Sequence, residues 1–555
     1  MEGVVRWPKE DEERYRRCGY WEDVPLGERF DGWVAKYGDR PALAHEGKEV
    51  SYREMGERAT RLAARMLEIG IKPYDRVIVQ LFNVPELIYV FYACMKIGAI
   101  PLGTLPTHRS AEIGFIGQHT EARVHVIPGG VVKGFDYDDF AQKMRKEVPS
   151  FEYILTIGAA NLPGMVSISD TINNGADLET AKARLSGLHI DASEPAMFQL
   201  SGGTTGTPKV IPRTHNDYYY NAKCVAEAYG FVENDRNLVP MPLMHNGPMI
   251  NAVLPSHVVG ACCVLTESFA PESILRAISE NRATSVGSAV VLMHRMLEVP
   301  VEKRRDFDLS SVKFIWWSGN IEFEDQMKLR ELFHNCDLCQ NYGMAEGMIC
   351  FTRRDDPIEI KMNTVGRPVS EGDEVRLVDV VTDEAVPRGE VGEVWCRGPY
   401  TIRGYYKAPE RNREAFSPDG FYKTGDLAKQ DQFGNLMWAG RIKDCISRGG
   451  EKINAEEVEV CIRTFPKVLD VAVVAMPDKA LEERVCAFVV PKPGEHITLE
   501  ELNDFLLNKV GIAPFKVPER LEALDELPLT KVGKADKKKL RAMIAEILNP
   551  TGASN

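Results

Sequence analysis

Gln199-Leu-Ser-Gly-Gly-Thr-Thr-Gly-Thr-Pro-Lys209 is the densest run of glycines and hydroxyls in the chain, and its reading decides the rest. It follows the apolar run Ala196-Met197-Phe198, which reads as the end of a strand. Glycines let backbone N–H groups turn toward one point, where an anion fits. Hydroxyls add donors or reach a metal, and Lys209 adds positive charge. By chemistry, Ser201, Gly202, Gly203, Thr204, Thr205, Gly206, Thr207 and Lys209 form a polyphosphate cradle. It is not a Walker A loop: Lys209 follows Thr-Pro rather than Gly, and no Ser or Thr follows the lysine. Alone, the stretch reads more simply as a flexible surface loop, so the remaining chain has to decide.

A chain of 555 residues is too long for one core and implies at least two domains. Its composition, 44% apolar and 27% charged, is that of a globular protein. A net charge of −13 argues against nucleic-acid and anionic-membrane binding. No apolar run approaches the roughly 20 residues needed to span a bilayer, and the charged N-terminus lacks a signal-peptide apolar region. The 12 cysteines are scattered, as expected of reduced thiols in a cytoplasmic protein. Cys336-Asp-Leu-Cys339 has no second pair to complete a zinc site, so two ordinary thiols are expected.

The first stretch, to about residue 30, reads as a polar lead-in. From Pro41 the pattern becomes regular: strands over 42–45 and 49–51, then a capping box at Ser51-Tyr-Arg-Glu54 opening a helix closed by Gly70. A buried strand over 76–81, an apolar helix over 85–97 and a strand over 99–102 follow. This rhythm predicts a doubly wound parallel α/β sheet, and it returns around 253–266, 271–286 and 312–318. Near Gly366 the texture changes to short Gly-punctuated strands, over 366–377, 389–397 and 401–406, which predict a small β-barrel-like subdomain. After Gly440-Arg-Ile-Lys-Asp444 helix and strand alternate again, predicting a small mobile α+β C-terminal domain. The expected division is a large N-terminal domain over 1–440, a hinge over 441–444 and a C-terminal domain over 445–555, with a frayed tail over 549–555.

If the opening loop holds polyphosphate, the chain must also supply an acid for Mg2+, a carboxylate for ribose and a cation for the reacting phosphoryl group. Candidates occur in Asn341-Tyr-Gly-Met-Ala-Glu346, Tyr422-Lys-Thr-Gly-Asp426, Gly440-Arg441-Ile-Lys443-Asp444, Arg448-Gly-Gly-Glu-Lys452 and Thr530-Lys-Val-Gly-Lys534. Singly, each is more simply a turn or a solvated charge. Jointly, six unrelated loops would have to hold the right groups by chance.

In order, Ser201–Lys209, Tyr342–Glu346, Tyr422–Asp426, Gly440–Asp444 and Lys534 resemble the core motifs of the adenylate-forming enzymes. That superfamily includes acyl-CoA synthetases, amino-acid adenylation domains and luciferases. Within it the chain looks most like the stand-alone aryl-acid–AMP ligases of the 2,3-dihydroxybenzoate type, which serve siderophore assembly. Ile211-Pro-Arg-Thr-His215, Arg397–Tyr406 and Ser447–Lys452 carry that likeness.

The resemblance implies two half-reactions with ATP and Mg2+. A carboxylate attacks the α-phosphorus and pyrophosphate leaves; a thiol then attacks the acyl-adenylate and AMP leaves. It implies that the loop holds the β- and γ-phosphates, that Thr205 and Glu346 place the metal, and that Tyr342 stacks on adenine with Asn341 at its edge. Asp426 takes the ribose hydroxyls with help from Arg441, and Lys534 bridges carboxylate and α-phosphate. Lys209, His245 and Lys534 form the catalytic set. Lys443 matches the hinge position, and Gly449 and Gly450 the thiol channel.

His245-Asn246 stands where amino-acid adenylation domains carry Phe-Asp for the substrate ammonium. A neutral Asn pairs poorly with an ammonium but can hydrogen-bond an ortho hydroxyl, amine or ring nitrogen, and His-Asn is similar to the aryl-acid ligases. Gly247 stands where the dihydroxybenzoate enzymes usually carry Tyr, and Asn251 lies where a small Ser is usual. Gly319 and Gly343 line the far side. Salicylate, 2,3-dihydroxybenzoate, an aminobenzoate, a hydroxylated picolinate or quinaldate and a substituted naphthoate all remain open. The expected acceptor is a phosphopantetheinylated aryl carrier protein; the alternative is free CoA, disfavoured by the absence of a clear basic groove. A non-catalytic nucleotide-binding protein of this fold is a remote third reading, since every charged motif residue is present.

Overall fold

In the computed structural model the described residues are 1–201, 208–318, 321, 323–380, 382–442, 445–528 and 535–548. Packing divides the chain into two compact units. One comprises Met1–Pro106, Ile116–Leu200 and Val210–Gly440; the other comprises Thr107–Phe115, Ser201–Lys209 and Arg441–Asn555.

The larger unit is built on parallel sheets, as the strand–helix–strand rhythm predicts. A seven-stranded sheet runs in the order Lys209–Thr214, Pro195–Ser201, Ile100–Gly103, Arg76–Val79, Val124–Ile127, Tyr153–Thr156, Met165–Ser167. The helix Pro85–Ile97 is apolar on nearly every side because it is buried between layers, and Gly98 ends it with φ +69°, a left-handed cap that glycine adopts without strain. Ser51 caps Tyr52–Glu68 reciprocally with Glu54.

A nine-stranded sheet runs Arg367–Pro368, Ile349–Phe351, Asp337–Gly343, Phe314–Ser318, Ser285–Ala289, Arg236–Leu238, Cys262–Val264, Pro41–His45, Lys48–Ser51. Its centre is parallel and its margins antiparallel. Parallel register pairs Ala289 with Ser318 and Ser318 with Asn341, so these strands deliver their carboxyl ends to one edge. In open α/β sheets that edge is where ligands bind. A third sheet, Glu374–Val378, Gly392–Arg397, Tyr422–Gln430 and Leu436–Arg441, is the β-rich subdomain read from the Gly-punctuated stretch.

Two local expectations fail. The lead-in is not merely polar: Lys9–Arg17 and Leu26–Tyr37 are helices, and Trp7, Tyr15 and Trp21 form a buried aromatic cluster. Three large rings spaced among charges give no helical period, so the sequence hides them. Residues 401–406 form no strand. They run as irregular, buried chain, and Ile402 N–H donates to the Glu346 carbonyl at 2.8 Å.

The smaller unit contains a five-stranded sheet, Glu451–Asn454, Cys445–Arg448, Glu482–Pro491 and Val468–Asp478, with Arg520–Ala523 pairing parallel to Glu482–Pro491. Alternation along Val468–Asp478 feeds two cores. Val471 and Val473 face Ile446, Val458, Ile462 and Leu502, whereas Ala472 and Val474 face Leu540 and Ile544. Helices on both faces explain why these strands read as apolar runs.

Among the described residues no helix is long and apolar enough to cross a membrane. Cys336 and Cys339 are buried thiols, each pushed up to about 12 by desolvation, as expected of ordinary interior cysteines.

Candidate active site

The strand Asp337–Gly343 ends in the sequence Asn341-Tyr342-Gly343, and side chains alternate along it. Tyr342 and Asn341 therefore serve two different neighbourhoods. The Tyr342 hydroxyl donates to Asp426 Oδ2 at 2.9 Å, and its ring lies 5.8 Å from that of Trp438. Asp426 follows Gly425 (φ +73°) within Tyr422–Gln430, and its N–H is tied to Thr424 Oγ1 at 3.0 Å. Burial raises the Tyr342 phenol, and the Asp426 carboxylate adds to the effect, so Tyr342 stays a donor at any physiological pH.

Asn341 points into the interior instead. Its Nδ2 donates to the Tyr229 hydroxyl at 2.7 Å and approaches Asn251 Oδ1 at 3.4 Å, and its Oδ1 accepts from Ser318 Oγ at 2.8 Å. The amide expected beside adenine thus joins a network with the expected acid-pocket residue Asn251. Adjacent residues of a strand point to opposite faces, and that alternation separates Asn341 from Tyr342.

Glu346 is 5% exposed and accepts from the Tyr405 hydroxyl at 2.8 Å; that hydroxyl is also 3.0 Å from the hydroxyl of Tyr422. The loop before Glu346 is pinned from below. Arg213 and Asp217 form a fully buried ion pair at 2.7 Å, and Arg213 Nη1 donates to the Ala345 carbonyl at 3.1 Å. Asp217 is also the reciprocal cap of the helix His215–Tyr229, which Thr214 opens. Behind Glu346, Gly347 packs so tightly that an added Cβ would lie 2.5 Å from Thr401 Cα.

The segment from Pro240 to Asn246 is held by Asn83. Asn83 Oδ1 accepts from Leu243 N–H at 2.9 Å, and Nδ2 donates to the carbonyls of Met241 and Thr266 at 2.8 and 3.1 Å. His245 is the N-terminal residue before the helix Asn246–Pro248, and the chain continues through the π-turn Met249–Val253. An added Cβ at Gly247 meets no described atom within 4 Å, so there is room where a side chain would stand. At Gly343 it would lie 3.1 Å from Ile349 Cγ1, so Gly343 is a close-approach glycine.

In the smaller unit Gly449 and Gly450 are the two-residue turn between Cys445–Arg448 and Glu451–Asn454, with φ +56° and +91°. Such a hairpin turn needs positive φ at both positions. Arg448 before it is held by Glu519 in a two-pronged pair at 2.8 and 3.0 Å.

Gly202, Gly203, Thr204, Thr205, Gly206, Thr207, Gly319, Lys443 and Lys534 lie outside the described residues, as do the side chains of Ser201 and Arg441. Lys209 opens the strand Lys209–Thr214.

Comparison with known proteins decides the family. Residues 30–406 match the AMP-binding enzyme family, and residues 457–534 match its C-terminal domain. The chain is an AMP-binding enzyme. A Streptomyces protein described as salicylyl-CoA synthase / salicylate adenylyltransferase is 39% identical to this AMP-binding enzyme over 544 residues, covering 98% of each chain. The 2,3-dihydroxybenzoate-AMP ligase of Bacillus subtilis (strain 168) is 39% identical over 552 residues, covering 99% of each. The apo structure of MbtA from Mycobacterium smegmatis is 34% identical with a TM-score of 0.72, covering 97% of this chain and 98% of that one. The AMP-binding enzyme is thus an adenylate-forming ligase with the two-part α/β fold read from its motifs.

Several residues around these groups have no role in the motif reading: Asn83, Tyr218 and Tyr229 lie in no motif, and Arg213 and Tyr405 lie inside motif stretches without a role of their own. Asn83 had a weak signal, a lone amide between a buried strand and the helix-opening Pro85. The others act through partners outside their own local stretch: Arg213 reaches Ala345, Tyr229 reaches Asn341, Tyr405 reaches Glu346 and Tyr218 reaches Asn246.

Proposed function

We propose that the protein activates an aryl carboxylic acid with ATP, releases pyrophosphate, and transfers the aryl group to the phosphopantetheine thiol of a carrier protein. The observation that carries this reading is the split between adjacent residues of one strand end. Tyr342 bonds Asp426 on one side, and Asn341 bonds Asn251 and Tyr229 on the other. A nucleotide held by the first pair and an acid held near the second meet at Gly343, which has no side chain to stand between them.

On this reading Tyr342 offers its ring to adenine and Asp426 its carboxylate to the ribose hydroxyls, with Arg441 assisting. The donor set suits those groups: an aromatic face beside a carboxylate whose orientation a phenol already fixes. Ser201–Thr207 with Lys209 holds the leaving phosphates. Thr205 and Glu346 would hold Mg2+, whose charge stabilises the pyrophosphate leaving group when bound. Tyr405 and Tyr422 orient Glu346 for that purpose. Lys534 supplies a compact cation between carboxylate and α-phosphate, where negative charge builds in the transition state. His245 and Asn246, with Gly247, Asn251, Gly319 and Gly343, form the acid pocket. Lys443 serves as the hinge within 441–444, between a large domain over 1–440 and a small one over 445–555. Gly449 and Gly450 line the thiol path. A cytoplasmic location accords with the buried free thiols.

Both steps depend mainly on positioning and charge stabilisation. ATP–pyrophosphate exchange across a panel of aryl, amino and fatty acids tests the first half-reaction. Exchange with aryl acids is expected; exchange with amino or fatty acids alone would sink the reading. An aryl-CoA ligase is the second reading, favoured by the Streptomyces relative whose description includes CoA. Thioester yield on CoA against a phosphopantetheinylated carrier protein separates the two.

A further inference from the structure

Asn83 lies just past the strand Arg76–Val79 of the seven-stranded sheet and is 4% exposed. The partners of its side chain belong to the nine-stranded sheet. Met241 and Leu243 follow the strand Arg236–Leu238, and Thr266 follows Cys262–Val264. Those two strands are parallel neighbours, with Leu238 opposite Val264. One side chain thus joins the carboxyl edges of both large sheets. Its amide gives both protons, to the Met241 and Thr266 carbonyls at 2.8 and 3.1 Å, and takes one from Leu243 N–H at 2.9 Å.

Gly103 meets the same segment from the adjacent strand. Ile100–Gly103 runs parallel to Arg76–Val79 with Gly103 opposite Val79, and Thr104 N–H returns to the Val79 carbonyl at 3.0 Å. An added Cβ at Gly103 would lie 2.3 Å from the Met244 carbonyl oxygen and 2.9 Å from Met244 Cβ, so this approach requires glycine. Residues 241–244 are therefore gripped twice by the seven-stranded sheet, through hydrogen bonds at Asn83 and through contact at Gly103. His245 comes next in the chain, and its N–H turns back onto the Pro242 carbonyl at 3.1 Å, so its backbone inherits that placement. On its other side Ile100–Gly103 pairs with Pro195–Ser201, Leu102 opposite Phe198, and that strand runs into the glycine–threonine loop.

We propose that Asn83 and Gly103 are positioning residues for adenylate formation: they index the segment ending at His245 to the sheet whose next strand feeds the phosphate-holding loop. Neither touches a substrate. They set the register between the acid-side segment and that strand. In the step they serve, a carboxylate oxygen forms its bond to the α-phosphorus as the bond to the pyrophosphate oxygen breaks. Misplacing such groups by about 1 Å costs about a hundredfold in rate. This role rests on the reading above, in which His245 borders the acid and the loop holds the phosphates.

The test is ATP–pyrophosphate exchange by the full-length protein, with whichever acid of the panel above exchanges best. Asn83→Ala and Gly103→Ala should each lower kcat about tenfold or more, with the KM for ATP held within about twofold. Both variants displace one segment, so the double variant should lose less than the product of the single losses. Leu155→Ala is the control. Leu155 is fully buried in the same sheet, on Tyr153–Thr156, beyond Val124–Ile127 from Arg76–Val79. Its truncation should lower the thermal midpoint yet leave kcat within about twofold. Asn83→Asp, nearly isosteric, loses both donations and keeps the acceptor for Leu243, and it serves the same comparison where an Ala variant does not fold. Losses of kcat no larger than that of Leu155→Ala overturn the proposal. So does a rise in the KM for ATP that accounts for the whole fall in kcat/KM. Wild-type protein that exchanges with no acid is a different result: it removes the reading on which this role rests.

Discussion

Tyr342 and Asp426 are joined by a 2.9 Å hydrogen bond across two sheets, from the end of Asp337–Gly343 to the middle of Tyr422–Gln430. The phenol donates to one carboxylate oxygen and so fixes which way the other faces. Tyr342→Phe should raise the KM for ATP about three- to tenfold with a smaller change in kcat, since one hydrogen bond to a charged group is worth about 1.5–3 kcal/mol at most. Initial rates of exchange against ATP concentration give the split. A fall in kcat with an unchanged KM would place the bond outside nucleotide binding.

The Tyr405 hydroxyl orients Glu346 in the same manner. Tyr405→Phe should raise the Mg2+ concentration for half-maximal exchange several-fold, and saturating Mg2+ should restore most of the rate. Glu346→Gln should not be restored. Metal titrations of both variants against wild type check this, and identical Mg2+ curves would disprove the role of Tyr405.

Arg213 and Asp217 are both fully buried, so removing one partner strands a charge. Burial raises the Asp217 carboxyl, and the Arg213 guanidinium opposes that rise. Arg213→Met should cost about 3–5 kcal/mol, and Arg213→Met with Asp217→Leu markedly less. Urea unfolding of the single and double variants measures the difference. The single variant should also loosen the Ala345 carbonyl that Arg213 holds and so weaken metal dependence.

His125, His215 and His257 are buried, and desolvation pushes each down to about 3. Each makes a contact that suits the neutral ring: His125 Nε2 to Gln80 Oε1 at 3.0 Å, His215 Nδ1 from Leu26 N–H at 3.2 Å, His257 Nδ1 with the Tyr92 hydroxyl at 2.6 Å. The unfolded chain binds protons below about pH 6.5 where the folded chain does not. Stability from these groups is therefore full above about pH 6.5 and is lost as pH falls from there toward 3, by about 1.4 kcal/mol per pH unit for each histidine. Urea midpoints from pH 7.5 to 4.5 should fall accordingly, and His125→Gln should flatten the slope. A midpoint independent of pH over that range would refute the argument.

Much of the fold is legible because local rules agree with it. The Ser51–Glu54 box, Pro85 at a helix start and Gly98 at its end all act within a few residues. The motifs are legible for the same reason, since glycine turns and charges sit side by side in sequence. What escapes is long-range satisfaction of polar groups. Asn83 reads as a loop residue until the Pro240–His245 segment folds onto it, and Tyr229 reads as helix filler until Asn251 and Asn341 reach its hydroxyl. Residues 401–406 read as a strand because their composition is aromatic and β-branched, yet they pack irregularly, with Ile402 N–H on the Glu346 carbonyl and the Tyr406 ring 4.8 Å from that of Phe198, rather than in a ladder. The buried Trp7–Tyr15–Trp21 cluster escapes because a tertiary contact, not a period, makes it.

A π-turn is an α-helix carrying one residue too many. The stretch Met249–Val253 therefore holds an inserted residue between Asn246 and the helix Leu254–Val259. A π-turn takes that residue up by widening, so the α-turns on either side stay nearly in phase. Deleting one residue there would return the stretch to α geometry and leave Asn246 and Leu254 facing almost as they do now. An insertion of this kind changes which side chains face inward within 249–253 and leaves the packing on both sides of it intact.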